Sequence, residues 1–254
     1  MQATLKPIYC LSFLLIAINS FSQSKQTESF YVFKEDWSVA PSLDSCTYFM
    51  QEIKKSDTEY VCRYYKKFGP MIRQETYKDD QLSIPNGRFC WYNEKGKLDS
   101  CGLVTNFKKD GNWYYYFGDS NNYTYYDEYD NGKLLGRYGN SHDTLNTKTD
   151  STQKEAQFQN GEKDWSKYLE RNIETPERLK QALGVGSYTI GICFTINKEG
   201  KTEDIYLKKS VEWSADAEII QIIEKSPAWK PAVQKGRPVK YRQMQNITYT
   251  VAQS

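Results

Sequence analysis

Few residues in this chain are of the kinds that do covalent or metal chemistry. There is one histidine, His142, in a polar stretch, so a His-based metal site or a Ser-His-Asp triad would depend on that residue alone. The six cysteines (Cys10, Cys46, Cys62, Cys90, Cys101 and Cys193) fit no zinc-ligand spacing. Acidic residues number 32, but no pair stands out from ordinary surface charge. No phosphate-binding loop or dinucleotide fingerprint is present. The reading is of a non-enzymatic protein with no metal and no cofactor. Cys90 and Cys101 are the pair worth following, because they flank a turn-rich Asn93-Glu94-Lys95-Gly96-Lys97-Leu98 with strand-like sequence on either side. If the loop is residues 94–97, Asn93 faces Leu98 and Cys90 faces Cys101, close enough for a disulfide. A loop one residue shorter puts the two diagonal. A bridge and a pair of buried thiols both stay open.

Charge and the N-terminus bear on partners and compartment. With 34 basic and 32 acidic residues the formal charge is +2, which argues against a dedicated nucleic-acid binder. Lys6 is the only charge before Lys25, residues 8–18 are almost wholly apolar, and Ser20 and Ser22 supply small residues where a peptidase needs them. Residues 1–22 therefore read as a secretory signal. The apolar run is short of the roughly 20 residues of a spanning helix. The alternative is that residues 5–22 are retained as an anchor. Export leaves five cysteines in an oxidising setting, and an odd count leaves at least one thiol free or paired between chains.

The elements must then be found. Residues 23–59 are an uncertain lead-in, with Phe30-Tyr31-Val32-Phe33 strand-like and residues 46–55 either a strand or a short helix. Of 21 tyrosines, 13 fall between Tyr60 and Tyr138. Within that span Gly87-Arg88-Phe89-Cys90-Trp91-Tyr92 is echoed 24 residues later by Gly111-Asn112-Trp113-Tyr114-Tyr115-Tyr116, and Gly96-Lys97-Leu98 by Gly132-Lys133-Leu134. Asn86-Gly87, Asp110-Gly111 and Asn131-Gly132 are turn dipeptides between aromatic runs that suit a pleated, half-buried surface. Hairpins that cannot bury their own face stack into one elongated sheet. Residues 60–138 resemble MORN-type repeats of a widespread antitoxin-like group, in about three degenerate units. The resemblance implies a meandering antiparallel sheet and an interaction surface. The aromatic stripe is either a binding platform or the core of a thin sheet.

Residues 139–156 are polar, hold no proline and read as a flexible linker with a typical reach of about 20–25 Å. From residue 157 the pattern alternates helices and strands. Trp165, Tyr168, Leu169 and Ile173 recur at helical spacing, and Thr175-Pro176 opens a short second helix that Gly184 ends. Tyr188, Ile190, Ile192, Phe194 and Ile196 alternate with Cys193 and other small or polar residues as a half-buried strand. Asn197-Lys198-Glu199-Gly200 turns it into a return strand over 203–209. Ser214 is placed as the cap of a helix carrying Ile219, Ile220, Ile222 and Ile223. An extended loop with Trp229-Lys230-Pro231-Ala232 and Lys235-Gly236-Arg237-Pro238 leads to a last strand over 239–251, with Ile247, Tyr249 and Val251 on one face.

This helix–helix–strand–strand–helix–strand order, with the Pro176 helix start, the Gly186 approach to the first strand, Trp229-Lys230-Pro231-Ala232 and Gly236-Arg237-Pro238-Val239, resembles the C-terminal domain of TonB, the energy transducer of Gram-negative-type envelopes. Glu212-Trp213-Ser214-Ala215-Asp216-Ala217-Glu218 departs from it, since the family more often has a leucine before the acidic pair. The expected fold class is α+β, a repeat sheet followed by a small domain (157–254) of helices on a three-stranded antiparallel sheet. The resemblance implies docking of an extended peptide of an outer-membrane transporter or another envelope protein by strand addition at the last strand. The expected docking residues are Gln245, Asn246, Ile247, Thr248, Tyr249, Thr250 and Val251. Lys225, Lys230, Lys235, Arg237, Lys240 and Arg242 lie nearby, either as a solvated face or as a lure for an acidic partner. The sequence thus predicts a periplasmic protein-binding protein, with the repeat sheet as a second protein-binding surface and no nucleic acid. The alternative is a true transducer anchored in the inner membrane, but a joint of 18 residues spans at most about 60 Å and lacks the proline of such spacers.

Overall fold

The computed structural model describes residues 27–117, 122–140 and 154–253. The expected signal (1–22), Cys10, His142 and most of the expected linker (141–153) lie outside the described residues. No helix among the described residues is long and apolar enough to cross a membrane. The fold is mixed α+β and dominated by strands.

Nine strands run in chain order: β1 (Thr27–Phe33), β2 (Tyr48–Ser56), β3 (Glu59–Lys66), β4 (Met71–Tyr77), β5 (Gly87–Tyr92), β6 (Leu98–Thr105), β7 (Lys108–Tyr115), β8 (Tyr125–Asp130) and β9 (Lys133–Gly139). Each pairs antiparallel with its neighbour, giving one meandering sheet. The sheet begins earlier than residue 60, because the lead-in supplies β1 and β2 at its edge. Residues 46–55, undecided between strand and helix, are mostly β2. One cross-strand row reads Phe30, Gln51, Arg63, Gln74, Cys90, Cys101, Tyr114, Tyr126, Tyr138, one residue from every strand. The adjacent row, on the opposite face by the two-residue period, includes Met50, Tyr64, Arg73, Trp91 and Tyr115.

The second part holds α1 (Glu162–Asn172), α2 (Glu177–Leu183), β10 (Gly186–Ile196), β11 (Thr202–Lys209), α3 (Trp213–Glu224), β12 (Ala232–Gln234), β13 (Arg237–Val239) and β14 (Tyr241–Val251). Its main sheet has the order β11-β10-β14, all antiparallel. Three local expectations are corrected. The cap of α3 is Glu212, not Ser214; its carboxylate accepts from the Ser214 backbone N–H at 2.9 Å and from the Ser214 hydroxyl. Pro176 is the cap of α2 rather than its first helical residue. The stretch expected to be an extended loop contains a hairpin, β12 paired to β13 around Lys235 and Gly236.

The small sheet is covered on both faces. On one, Ile190, Ile192, Phe194, Ile196, Ile247, Tyr249 and Val251 are buried in the same cluster as Leu179 of α2 and Ile219, Ile220 and Ile223 of α3. On the other, Cys193 and Tyr206, paired across β10 and β11, join Tyr92, Cys90 and Cys101 of the large sheet in that cluster. The Tyr92 hydroxyl donates to the Leu207 carbonyl at 3.0 Å, and Arg242 lies over Tyr114 and Tyr206. The inward-facing aromatics of β5–β7 are thus core because a second layer lies on them. The outward face closes on itself in two patches, one around Met50, Cys62 and Tyr64, one around Phe89, Val104 and Trp113. Trp113 there is buried and donates its indole N–H to the Leu103 carbonyl at 2.8 Å.

The large sheet also reaches around the β11 edge. Lys97 bridges to Lys209, and the Ser210 backbone N–H donates to the Gly96 carbonyl at 2.8 Å. Gly96 has φ +72°, and a Cβ there would sit 2.4 Å from the Ser210 carbonyl oxygen, so turn and junction both require glycine. The Ser210 hydroxyl accepts from the Met71 backbone N–H at 2.6 Å and donates to buried Asp216. Arg178 of α2 donates to the Glu212 carboxylate and to the Lys67 carbonyl, while Phe49 of β2 meets Trp213 edge-on. The two sheets therefore share one core.

Candidate edge-strand docking site

The small sheet has two outer strands, β11 and β14, and they are covered to different extents. β10 is central. The β11 edge is met by the large sheet only at its last residue, Lys209. The outer edge of β14 has no backbone partner among the described residues. All seven residues expected for docking, Gln245 to Val251, lie on that strand. Ile247, Tyr249 and Val251 are buried toward the helices, and Asn246, Thr248 and Thr250 are exposed. The strand is pinned on its inner side by an unbroken register with β10 from Gly186↔Val251 to Ile196↔Tyr241. The Thr189 and Thr248 hydroxyls hydrogen-bond across that pair at 2.8 Å. The Tyr249 hydroxyl donates to Glu218 of α3, and burial with that acidic neighbour pushes its pKa well up, so it stays protonated as a tether. A rigid strand with one unsatisfied row of N–H and C=O groups is a template for a further strand.

Beside the first half of β14 lies an open groove of about 470 Å³ lined by Gln243 and Gln245, by the polar side chains of Glu155, Gln157, Glu162 and Ser166, and by the largely buried Phe158, Trp165 and Trp229. The aromatic lining is a packed unit: Phe158 lies 5.0 Å from Trp165 and 5.2 Å from Trp229, centroid to centroid. The chain ahead of it, residues 154–157, makes backbone bridges to Val233 and Lys230, while its Glu155 accepts a hydrogen bond from the Tyr241 hydroxyl of β14. Those last residues of the expected linker are thus tied down. In the sequence, Trp165 marks a helix face and Trp229 part of a loop motif. That both line a groove at the docking edge was not legible, because the contact is set by tertiary packing.

Two of the six basic residues expected near the edge are engaged within the chain. Lys240 pairs with Glu203 and Arg242 turns onto Tyr114 and Tyr206.

Cys90 and Cys101 are directly opposed, as the strand-pair reading required. The route differs: a register shift after Trp91 pairs Tyr92, not Asn93, with Leu98. The thiols are unbridged and buried. Burial holds Cys90 well above the ordinary thiol range, while a hydrogen bond from Cys90 and the cations Arg88, Arg242 and Lys208 pull Cys101 down. Cys193 is pushed up to about 11 by burial, as expected for a packed thiol. No group of three or more His, Cys, Asp or Glu side chains suited to a metal ion occurs among the described residues.

A scan against family models, a search of curated proteins and a search of solved structures each found no match.

Proposed function

We propose that this chain is a non-enzymatic protein-binding protein that captures an extended peptide segment by adding it as a fourth strand to β14. The observation that carries the reading is the outer edge of β14, which has no strand partner among the described residues, with a groove beside it, on a strand registered to β10 along its whole length. Backbone hydrogen bonds would supply affinity and the groove a pocket for one side chain of the segment. The resemblance of residues 157–254 to the C-terminal domain of TonB supports the same edge. It brings with it the expectation of a periplasmic setting after export and of an outer-membrane transporter or other envelope protein as partner. The large sheet, which resembles MORN-type repeats, packs part of one face on the small domain, and the exposed side chains around the self-packed patches of its other face would meet a second protein partner. The shared core favours an adaptor over a force-transmitting transducer, because the sheet occupies the place of a long extensible spacer.

The test works without a named partner. Displayed linear heptapeptides are panned against the full chain, and binders are resynthesised with single N-methylated amides. A peptide bound as a strand loses affinity when alternate amides are methylated and tolerates the intervening ones. Recovery of no binder, or uniform tolerance of methylation, rejects strand addition.

A further inference from the structure

A second cavity lies on the β11 side of the small sheet, away from β14. It is an open cleft of about 510 Å³ bordered by the inward face of β3–β5, by the neighbouring ends of β2 and β6, and by β11 and the end of α3. One of its walls is Arg63, which is only 4% exposed. The Arg63 Nε donates to Gln74 Oε1 at 3.3 Å, and the guanidinium forms no ion pair within 4 Å among the described residues. A buried charge without a counter-ion is costly, and a guanidinium fork suits a carboxylate.

The acidic groups around the cavity are already taken. Glu224 is held by Lys55 at 2.6 Å, Asp204 by a two-pronged contact from Arg88, and Glu203 by Lys240 at 2.5 Å. Exposed Glu59 remains at the rim. Asp216 feels the charge of Arg63 but spends its oxygens on Ser210 and the Val211 backbone N–H. The cavity therefore has one positive charge to balance and an acidic border that disfavours multiply charged anions. Val61, Leu103 and Ile205 give it apolar walls. Next to Arg63 across the strand pair, the Gln51 Oε1 is buried without a partner, a position that a water can serve.

We propose that this cavity is a binding site for a small organic monocarboxylate, whose carboxylate pairs with Arg63 and whose apolar part lies against Val61, Leu103 and Ile205. The probe is benzoate, with the neutral isostere benzamide and chloride at matched ionic strength as controls. Binding to the full chain is read from calorimetry and from the thermal midpoint. Benzoate raises the midpoint and benzamide and chloride do not; R63Q weakens benzoate about 10- to 100-fold, the worth of a charge-assisted contact. Should R63Q fail to fold, crystals of the unaltered chain soaked in 4-bromobenzoate decide the matter, with bromine anomalous signal expected beside Arg63. Equal response to benzamide, undiminished binding in a folded R63Q, or a cavity holding water alone overturns the proposal.

Discussion

Ser210 carries the junction between the two sheets, and removing its hydroxyl should cost far more than a one-atom change suggests. The residue is 1% exposed. Its hydroxyl accepts from the Met71 backbone N–H at 2.6 Å and donates to the carboxyl of Asp216, which is itself fully buried and also accepts from the Val211 N–H at 3.0 Å. Ser210→Ala leaves a buried backbone donor unmet, at about 1–3 kcal/mol, and strips a hydrogen bond from a charged acceptor, at about 1.5–3 kcal/mol. The expected loss at pH 8 is therefore about 3–5 kcal/mol, a large part of a typical domain stability of about 5–15 kcal/mol. Urea unfolding of the full chain followed by tryptophan fluorescence reads it as a lower midpoint at unchanged slope. Thr189→Ala, which removes the exposed hydrogen bond to Thr248, is the control and should stay within about 0.5 kcal/mol. A loss under about 1 kcal/mol for Ser210→Ala would show that the two sheets are not held through this node.

Further outcomes follow from the same junction. Burial raises the Asp216 carboxyl to about 7, against an ordinary 3.8, so the folded chain holds that proton more tightly than the unfolded one. Its contribution to stability is full below about pH 4 and declines as pH rises to about 7; urea midpoints between about pH 5 and 8 should fall, and Asp216→Asn should flatten that slope. Arg178→Ala leaves Glu212, whose side chain is 1% exposed, without its ion-pair partner and should destabilise by about 3–5 kcal/mol in the same assay, whereas a shift below about 1 kcal/mol would mean the carboxylate is served by Ser214 alone. The thiols of Cys46, Cys62, Cys90, Cys101 and Cys193 are all buried, so in the reduced native chain iodoacetamide should label them only as fast as the chain opens. Rapid labelling of any of them without denaturant would contradict that packing.

How much of this was legible in the sequence varies by element. The alternation from Tyr188 to Ile196 and the Asn197-Lys198-Glu199-Gly200 turn located β10 and β11 almost to the residue, because period and turn chemistry agree there. The opposition of Cys90 and Cys101 was readable from spacing, but a bulge delivers it, since the turn from Asn93 to Lys97 is closed by Asn93 N–H to Lys97 O at 2.9 Å. The cap of α3 was misplaced because Ser214 looks the better cap by type, while a buried Glu212 held by Arg178, distant in sequence, takes the role. The strands β1 and β2 were obscured by a lead-in without the glycine punctuation that marks the later hairpins. At the candidate site, the edge strand followed from element order; the groove beside it, and the isolation of Arg63, are products of packing that no local pattern encodes.

Amide hydrogen exchange of the full chain, resolved by residue, with and without a saturating peptide from the panning, puts strand addition at β14 to its most direct test. The account predicts slowed exchange at alternate residues between Gln245 and Val251, the set whose N–H groups point away from β10, with exchange elsewhere in the chain unchanged. Unaltered exchange over that strand, or protection confined to the outward face of the nine-stranded sheet, would contradict it.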